Sequence, residues 1–394
     1  MNQEMKKWKW PFGAGAESPP NPSPARIAGG AVLPLPPRSR RDAETNSIVM
    51  AVVQWAMRTF TEPPLRVRRD GQWDDHHPAA LLLQRPHARL GEPSKVSGRQ
   101  IRQALVMDLV LDGNAYLHKV RDETGQVIGL DWWPSASVTP VAMPGTSHRL
   151  AGYRVATSGG EVWMTPGDVL HFMDGIDPEN PLRGQSPLRA IECEIRTDNE
   201  VAQYHRALMR APAPSLLVTV RDAGDAGAIT DHFVHETKRL LTQATAGDQA
   251  GGVVFPTIPL DVTPLGFSPE QMSLDRLVRL PEERITALLG VSALVLGLGS
   301  GMEHATFSNF REAREAAVES FLIPKWRLVA EQITDQLMPE FDPPAQAEFD
   351  LRDVRALQED ESDRHARVRE NVQAGLWTAD EGRAVLNRGV DNFG

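Results

Sequence analysis

The sequence predicts an α+β chain built of several regions. In the first half, helical and strand-like segments alternate: residues 97–111 repeat apolar side chains at helical spacing, and residues 114–121 and 127–133 have the composition of two strands around a turn. Helices predominate in the second half, where residues 308–338 predict one long helix that Pro324 bends. At about 1.5 Å per residue this helix is ~45 Å long, which exceeds the needs of a small core and favours a larger assembly.

The first 46 residues predict a flexible arm, and order is expected to begin near Asn46. Residues 11–37 hold eight prolines with scattered glycine and serine, a composition typical of flexible or polyproline-like segments. Residues 48–60 then suit a buried helix, which Pro63-Pro64 stops. The other elements expected before residue 186 are a short helix at 76–83 and strands at 65–68, 137–142, 153–156 and 169–172.

From Ser186 onward, helix caps divide the chain. Ser186-Pro187 is the favoured pair of N-cap and first helical residue, and it predicts a helix to about residue 210. Ser268 and Gln271 fit the start of a second helix, in which Pro281 predicts a kink. A small β-α-β stretch separates the two helices. Its strands are expected at 215–220, 252–255 and 260–264, and its helix at 229–244.

Composition excludes several classes of protein. The formal net charge is -10, whereas proteins that bind duplex DNA tightly usually present a basic face, so a tight DNA-binding protein is not expected. The charge is compatible with a protein past which DNA slides. Cys193 is the single cysteine, so internal disulfides and cysteine-rich zinc sites are excluded, and folding in the cytosol is expected. No apolar run approaches the ~18 residues of a membrane-spanning helix, so no membrane partner is expected.

The glycine-rich segment Gly297-Leu298-Gly299-Ser300-Gly301 is the strongest candidate for a phosphate-binding loop. The order of its glycines, followed by Met302, matches neither the dinucleotide-binding pattern nor the P-loop pattern. The glycine content of the segment instead predicts a mobile loop. Ser300 and His304 are close enough in sequence to be the nucleophile and the base of a hydrolase, although no G-x-S-x-G nucleophile elbow is present. The sequence therefore assigns no catalytic, cofactor-binding or metal-binding residue, which favours a mechanical or assembly role.

Five stretches, taken in order, form a more specific pattern than any one of them. The second holds a helix, a "GNAY" strand and a hairpin; the third holds a G-x-S-P-L entry to a helix. They are HPAALLLQRPHARL (77–90), LVLDGNAYLHKVRDETGQVIGLDWWP (109–134), DVLHFMDGIDPENPLRGQSPLRA (168–190), ITALLGVSALVLGLGSGMEHATFSNFREA (285–313) and ENVQAGLWTADEGRAVLN (370–387). In this order and spacing they resemble the portal proteins of long-tailed bacteriophages and related gene-transfer particles, from about Asn46 to near the C-terminus.

The resemblance implies an α+β portal fold assembled as a ring, usually of twelve copies. The implied regions are an α+β wing, a helical stem, a β-α-β clip, a tunnel loop, a long bent channel helix and a helical crown. They are expected as an N-terminal arm (1–46), wing (47–185), first stem helix (186–211), clip (212–267), second stem helix and hinge (268–296), tunnel loop (297–304), long helix returning to the wing (305–340) and crown (341–394).

The resemblance also implies a non-enzymatic role at one vertex of a capsid, with assembly taking place in the host cytoplasm. Such a ring nucleates the capsid, docks the terminase that supplies ATPase activity, passes double-stranded DNA, then holds it and joins head to tail for ejection. Its implied partners are further copies of itself, the terminase large subunit, the major capsid protein and a head–tail adaptor. Two alternatives stay open: a hydrolase using Ser300 and His304, and a different head–tail adaptor ring, although such adaptors are usually much shorter.

Two sets of candidate site residues follow from the resemblance. Lys238 and Arg239 of the clip are expected to face the terminase or the adaptor. The tunnel loop is expected to approach DNA most closely, with apolar bulk and few charges that would let a duplex slide. Its residues are Gly297, Leu298, Gly299, Ser300, Gly301, Met302, Glu303 and His304.

Overall fold

Helices and short antiparallel sheets alternate through the chain. The computed structural model describes residues 38–90, 96–210, 216–220, 231–245, 260–264, 274–302, 306–358 and 361–387. The helices are α1 (Arg38–Thr45), α2 (Ser47–Phe60), α3 (Pro78–Gln84), α4 (Gly98–Asp112), α5 (Glu192–Arg210), α6 (Asp231–Thr245), α7 (Leu274–Leu289), α8 (Ala293–Leu296), α9 (Gly299–Met302), α10 (Phe307–Ala317), α11 (Ile323–Gln336), α12 (Glu361–Gln373) and α13 (Ala379–Asn387). The strands are β1 (Leu65–Arg69), β2 (Gln72–Trp73), β3 (Asn114–Arg121), β4 (Val127–Trp133), β5 (Val138–Ala142), β6 (Leu150–Thr157), β7 (Gly160–Met164), β8 (Val169–Met173), β9 (Leu216–Val220), β10 (Leu260–Pro264) and β11 (Gln346–Phe349).

Local caps fix the ends of α2 and α4. The Asn46 side chain accepts hydrogen bonds from the backbone N–H groups of Ile48 and Val49, which have no partner within the first turn of α2. Ser97 and Gln100 form a reciprocal capping box at the start of α4. Gly113 ends α4 at φ 74°, a left-handed conformation that suits glycine. The predicted helices 48–60 and 97–111 are therefore confirmed within one residue at each end.

Two three-stranded antiparallel sheets form the middle of the first half. β3 lies between β4 and β8, and β6 lies between β5 and β7. The sheets meet through aromatic side chains: Tyr116 stacks on His171 at 4.4 Å between ring centroids and contacts Tyr153 edge-on at 5.9 Å. This packing removes His171 from water, and burial lowers its pKa to about 3. The predicted strands of this region are confirmed, whereas β7 was missed by the sequence analysis.

The main hydrophobic core lies between α2, α4, α11 and the β4–β3–β8 sheet. Trp326 of α11 is buried there, and its indole N–H donates to the Phe60 carbonyl oxygen at 3.0 Å. The long predicted helix is confirmed as α10 and α11, joined by a π-helical segment over Val318–Leu322. Pro324 is the second residue after this segment. Because a proline cannot donate to the carbonyl four residues earlier, here that of Ser320, the irregularity lies where Pro324 predicts it.

Two expected boundaries differ from the structure. The last part of the predicted N-terminal arm forms α1, which Arg40 fixes to the core through an ion pair of 2.7 Å with the buried Asp108. The predicted crown begins at residue 341, but β11 pairs with β1, so Leu65 lies opposite Phe349. Residues 346–349 therefore belong with the first half of the chain. Neither contact has a local sequence signal, since each joins segments that are far apart in sequence.

Candidate functional site

The predicted tunnel loop begins directly after one short helix, α8, and contains a second, α9. Gly297 ends α8 with φ 71°, and the Leu298 N–H donates back to the Ala293 carbonyl oxygen at 3.0 Å. Residues 299–302 then form α9. Residues 299–302 are therefore helical rather than a loop, and α9 packs on α8. Glu303 and His304, which complete the predicted loop, lie outside the described residues.

The three glycines of this segment have different structural roles. A Cβ at Gly301 would lie 2.3 Å from the Leu294 backbone nitrogen and 2.6 Å from the Ala293 carbonyl carbon, so only glycine permits this approach of α9 to α8. Gly297 supplies the left-handed turn. Gly299 has nothing within 4 Å of a Cβ position. Close packing therefore accounts for Gly301, and a left-handed backbone conformation accounts for Gly297.

A carboxylate from α7 fixes the start of α9. Glu282 Oε2 accepts a hydrogen bond from the Ser300 backbone N–H at 3.2 Å. Asp198 of α5 lies nearby: its pKa is raised mainly by burial, and the negative charge of Glu282 acts in the same direction. The sequence analysis missed Glu282, since a glutamate 18 residues before its partner follows no local pattern. The segment 297–302 is thus connected to α7 through Glu282.

The side chains of this segment divide between core and surface. Leu298 packs against the main core, whereas Met302 is exposed. The Ser300 hydroxyl is buried and makes no hydrogen bond within the described part of the chain. Because no described residue hydrogen-bonds to this hydroxyl as a base, the described part of the chain gives no support to the hydrolase alternative. The segment therefore offers one apolar side chain to the surface and a closely packed backbone beneath it.

The predicted clip contains a strand pair and one exposed helix. β9 and β10 pair antiparallel, and α6 lies between them in sequence. Lys238 and Arg239 are both exposed on α6, and Arg239 pairs with Glu236 at 2.5 Å. The predicted strand at 252–255 and the capping box at Ser268 lie outside the described residues.

Among the described residues, no group of three or more His, Cys, Asp or Glu side chains is placed to hold a metal ion. No helix in the same part of the chain is long and apolar enough to cross a membrane.

Comparison with known proteins gives the same fold. The chain is similar to the neck protein of a native gene transfer agent particle computed with C12 symmetry, at 22% identity and a TM-score of 0.64, covering 91% of this chain and 96% of that one. It is similar to an HK97 family phage portal protein from Corynebacterium diphtheriae, at 16% identity and a TM-score of 0.55, covering 84% and 100%. An uncharacterized protein of Rickettsia bellii (strain RML369-C) is 25% identical over 351 residues, 86% of each chain.

These likenesses show that the chain has the fold of the similar neck and portal proteins. The model of the family described as phage portal protein matches residues 47–387, most of the chain. This chain belongs to the phage portal protein family.

Proposed function

We propose that this chain forms the portal ring at one vertex of a phage or gene-transfer-agent capsid, a closed channel through which double-stranded DNA enters and leaves. The family match over residues 47–387 carries the proposal, and a similar neck protein in a particle computed with C12 symmetry favours a twelve-membered ring. The role is structural: the ring starts capsid assembly, docks the terminase, holds DNA and then joins head to tail. Its location is the virion, after assembly in the host cytoplasm.

We propose the following division of the chain within that ring. The sheets and the core around α2, α4 and α11 form the wing, together with β11. The helices α5 and α7 form the stem, and α6 with β9 and β10 forms the clip. The segment 297–304 is the tunnel loop, and α12 with α13 is the crown. This division keeps the predicted regions, with α1 and β11 reassigned to the wing because of their contacts with Asp108 and β1.

The composition of the DNA-facing segment supports sliding. Each phosphate that a protein neutralises adds affinity, so a channel lined with many cations would arrest the duplex. The net charge of -10 and the neutral residues 297–302 keep that attraction weak. Met302, which is exposed, presents apolar bulk that contacts DNA without fixing it at one phosphate.

The clip supplies the contact with the packaging motor, and the Arg239→Glu variant tests this assignment. The change places a third acidic charge on α6 next to Glu236 and reverses the exposed charge. We expect packaged DNA to fall about tenfold while rings still form, because a like-charge contact with a docking partner costs several kcal/mol. The measurement is nuclease-protected DNA per particle in an assembly assay with the terminase.

Arg383→Glu is the matched control. Arg383 forms the same kind of pair, with Asp380 three residues earlier on the exposed helix α13, at 2.8 Å. The Arg383→Glu variant should package as much DNA as the unaltered protein. Equal packaging by both variants would show that α6 does not face the motor.

A further inference from the structure

A cluster of arginines lies where α3 ends and α4 begins. Arg85 and Arg89 follow α3, and Arg99 and Arg102 lie in the first turns of α4. Gly98 brings the two helices into contact, because a Cβ there would lie 2.0 Å from a carbonyl oxygen in the last turn of α3. The two pairs of arginines therefore start from adjacent backbone, although they are far enough apart in sequence to belong to different helices. We call these four residues the α3–α4 patch.

The arginines of the patch have no counter-charge within the described part of the chain. None of their side chains makes an ion pair or a hydrogen bond there, and residues 85–90 and 96–102 contain no acidic residue. Arg66 and Arg68 of β1, by contrast, pair with carboxylates at 2.7 and 2.8 Å. The β1 arginines thus stabilise the fold, whereas the α3–α4 patch presents uncompensated positive charge.

The position of Arg102 is unfavourable without an anion. Its Nε atom is buried and has no hydrogen-bond partner among the described residues. Burial, together with the positive charge of Arg99, lowers the pKa of its guanidinium to about 10. Arg99 also lies in the first turn of α4, where the helix dipole favours negative charge. A buried donor left unpaired destabilises a fold, so an anion bound here would offset part of that cost.

The surroundings of the patch favour a polyanion over an apolar protein surface. Among residues 85–90 and 96–102 no large apolar side chain is exposed, and Leu81 of α3 is exposed singly. Protein interfaces usually contain an apolar centre, whereas duplex DNA offers one negative charge per ~1.7 Å of its axis. The planar guanidinium of arginine can also donate two parallel hydrogen bonds to one phosphate.

We propose that the α3–α4 patch binds the phosphates of double-stranded DNA on the wing, outside the channel. The inference rests on the proposed ring, which brings DNA to this chain, and it assigns a second and different contact. The segment 297–302 carries no charged side chain and lets a duplex slide, whereas the four arginines attract a duplex of any sequence. The ring thus passes DNA through its opening and holds a further stretch of duplex against the wing.

Binding of closed circular duplex DNA to assembled full-length rings tests the patch. A closed circle has no end that can thread through a closed ring, so its binding reports a surface outside the channel. The Arg85→Gln/Arg99→Gln variant removes two exposed charges and keeps the partly buried Arg102. We expect it to bind the circle about tenfold more weakly at low salt, with a smaller dependence of affinity on salt, because two phosphate contacts per copy are lost. Gel mobility shift at several salt concentrations measures both effects.

The Arg154→Gln/Arg383→Gln variant is the matched control. It removes the same charge, but at exposed arginines that pair with carboxylates at 3.8 and 2.8 Å. It should bind the circle as tightly as the unaltered protein. Equal weakening of both double variants would show a general effect of net charge and overturn the patch. Undiminished binding by Arg85→Gln/Arg99→Gln, or no binding of the circle by unaltered rings, would overturn it as well.

Competition with poly-glutamate distinguishes DNA from an acidic protein as the partner. At equal charge, linear duplex should displace the circle more effectively than poly-glutamate does, and the reverse order would overturn DNA as the ligand. If the unaltered protein forms no rings, the proposed function fails instead. The effect of Arg85→Gln/Arg99→Gln on the affinity of the single chain for linear duplex then decides whether the patch binds DNA.

Discussion

The Asp108→Asn variant is expected to lower the free energy of unfolding by about 3 kcal/mol, since it removes the buried one of the two carboxylates that pair with Arg40 and leaves only the more exposed Glu44. Asp108 is fully buried, and burial raises the pKa of its carboxyl despite the opposing effect of Arg40 beside it. The charged form is held by Arg40 at 2.7 Å, by the Trp132 indole N–H at 2.9 Å and by the Ser135 backbone N–H at 3.2 Å. Urea unfolding of the full-length protein measures the effect.

Asp380→Asn is the matched control for this substitution. Asp380 pairs with Arg383 at 2.8 Å, nearly the distance of the Asp108–Arg40 pair, but its side chain is 90% exposed. Water screens such a pair, so the control should unfold at the same urea concentration as the unaltered protein. Equal unfolding of both variants would mean that α1 is not held to the core by the buried pair.

The Gly301→Ala variant is expected to release α9 from α8. Its Cβ would overlap the Leu294 nitrogen at 2.3 Å, and overpacking of this kind costs about 1–3 kcal/mol. We expect amide hydrogen exchange at residues 298–301 to become about tenfold faster or more, since each 1.4 kcal/mol of local stability is about a factor of ten. If the segment lines the channel, particles assembled with this variant should also retain less DNA.

Gly299→Ala separates this steric effect from the loss of a glycine. A Cβ at Gly299 meets nothing within 4 Å, so exchange and DNA retention should match those of the unaltered protein. Faster amide exchange in the Gly301→Ala variant with normal DNA retention would show that residues 297–302 do not line the channel. Unchanged exchange would show that α8 and α9 are not packed as described.

Elements with local signals could be predicted from the sequence. The capping box of Ser97 and Gln100 and the stop at Gly113 define α4 without any tertiary information. The strand-like composition of β3 and β4 on either side of a turn and the apolar stripe of α10 and α11 were equally clear. These elements, in their order, also carry the resemblance to portal proteins that the family match confirms.

Contacts between distant segments could not be predicted. The pairing of β11 with β1 and the hydrogen bond from the Ser300 N–H to Glu282 depend on the folded chain, and no residue type at either position requires the other. The glycines at 297–301 show a second limit of structure prediction from the sequence. Glycine is needed both for freedom and for close approach, and only the 2.3 Å distance at Gly301 distinguishes the two.

Electron microscopy of the purified full-length protein tests the ring most directly. We expect class averages of a closed ring with a central opening wide enough for a DNA duplex, and rotational symmetry close to the twelvefold symmetry used for the similar neck protein. Separate single chains at every protein and salt concentration, or compact particles without an opening, would contradict a portal ring.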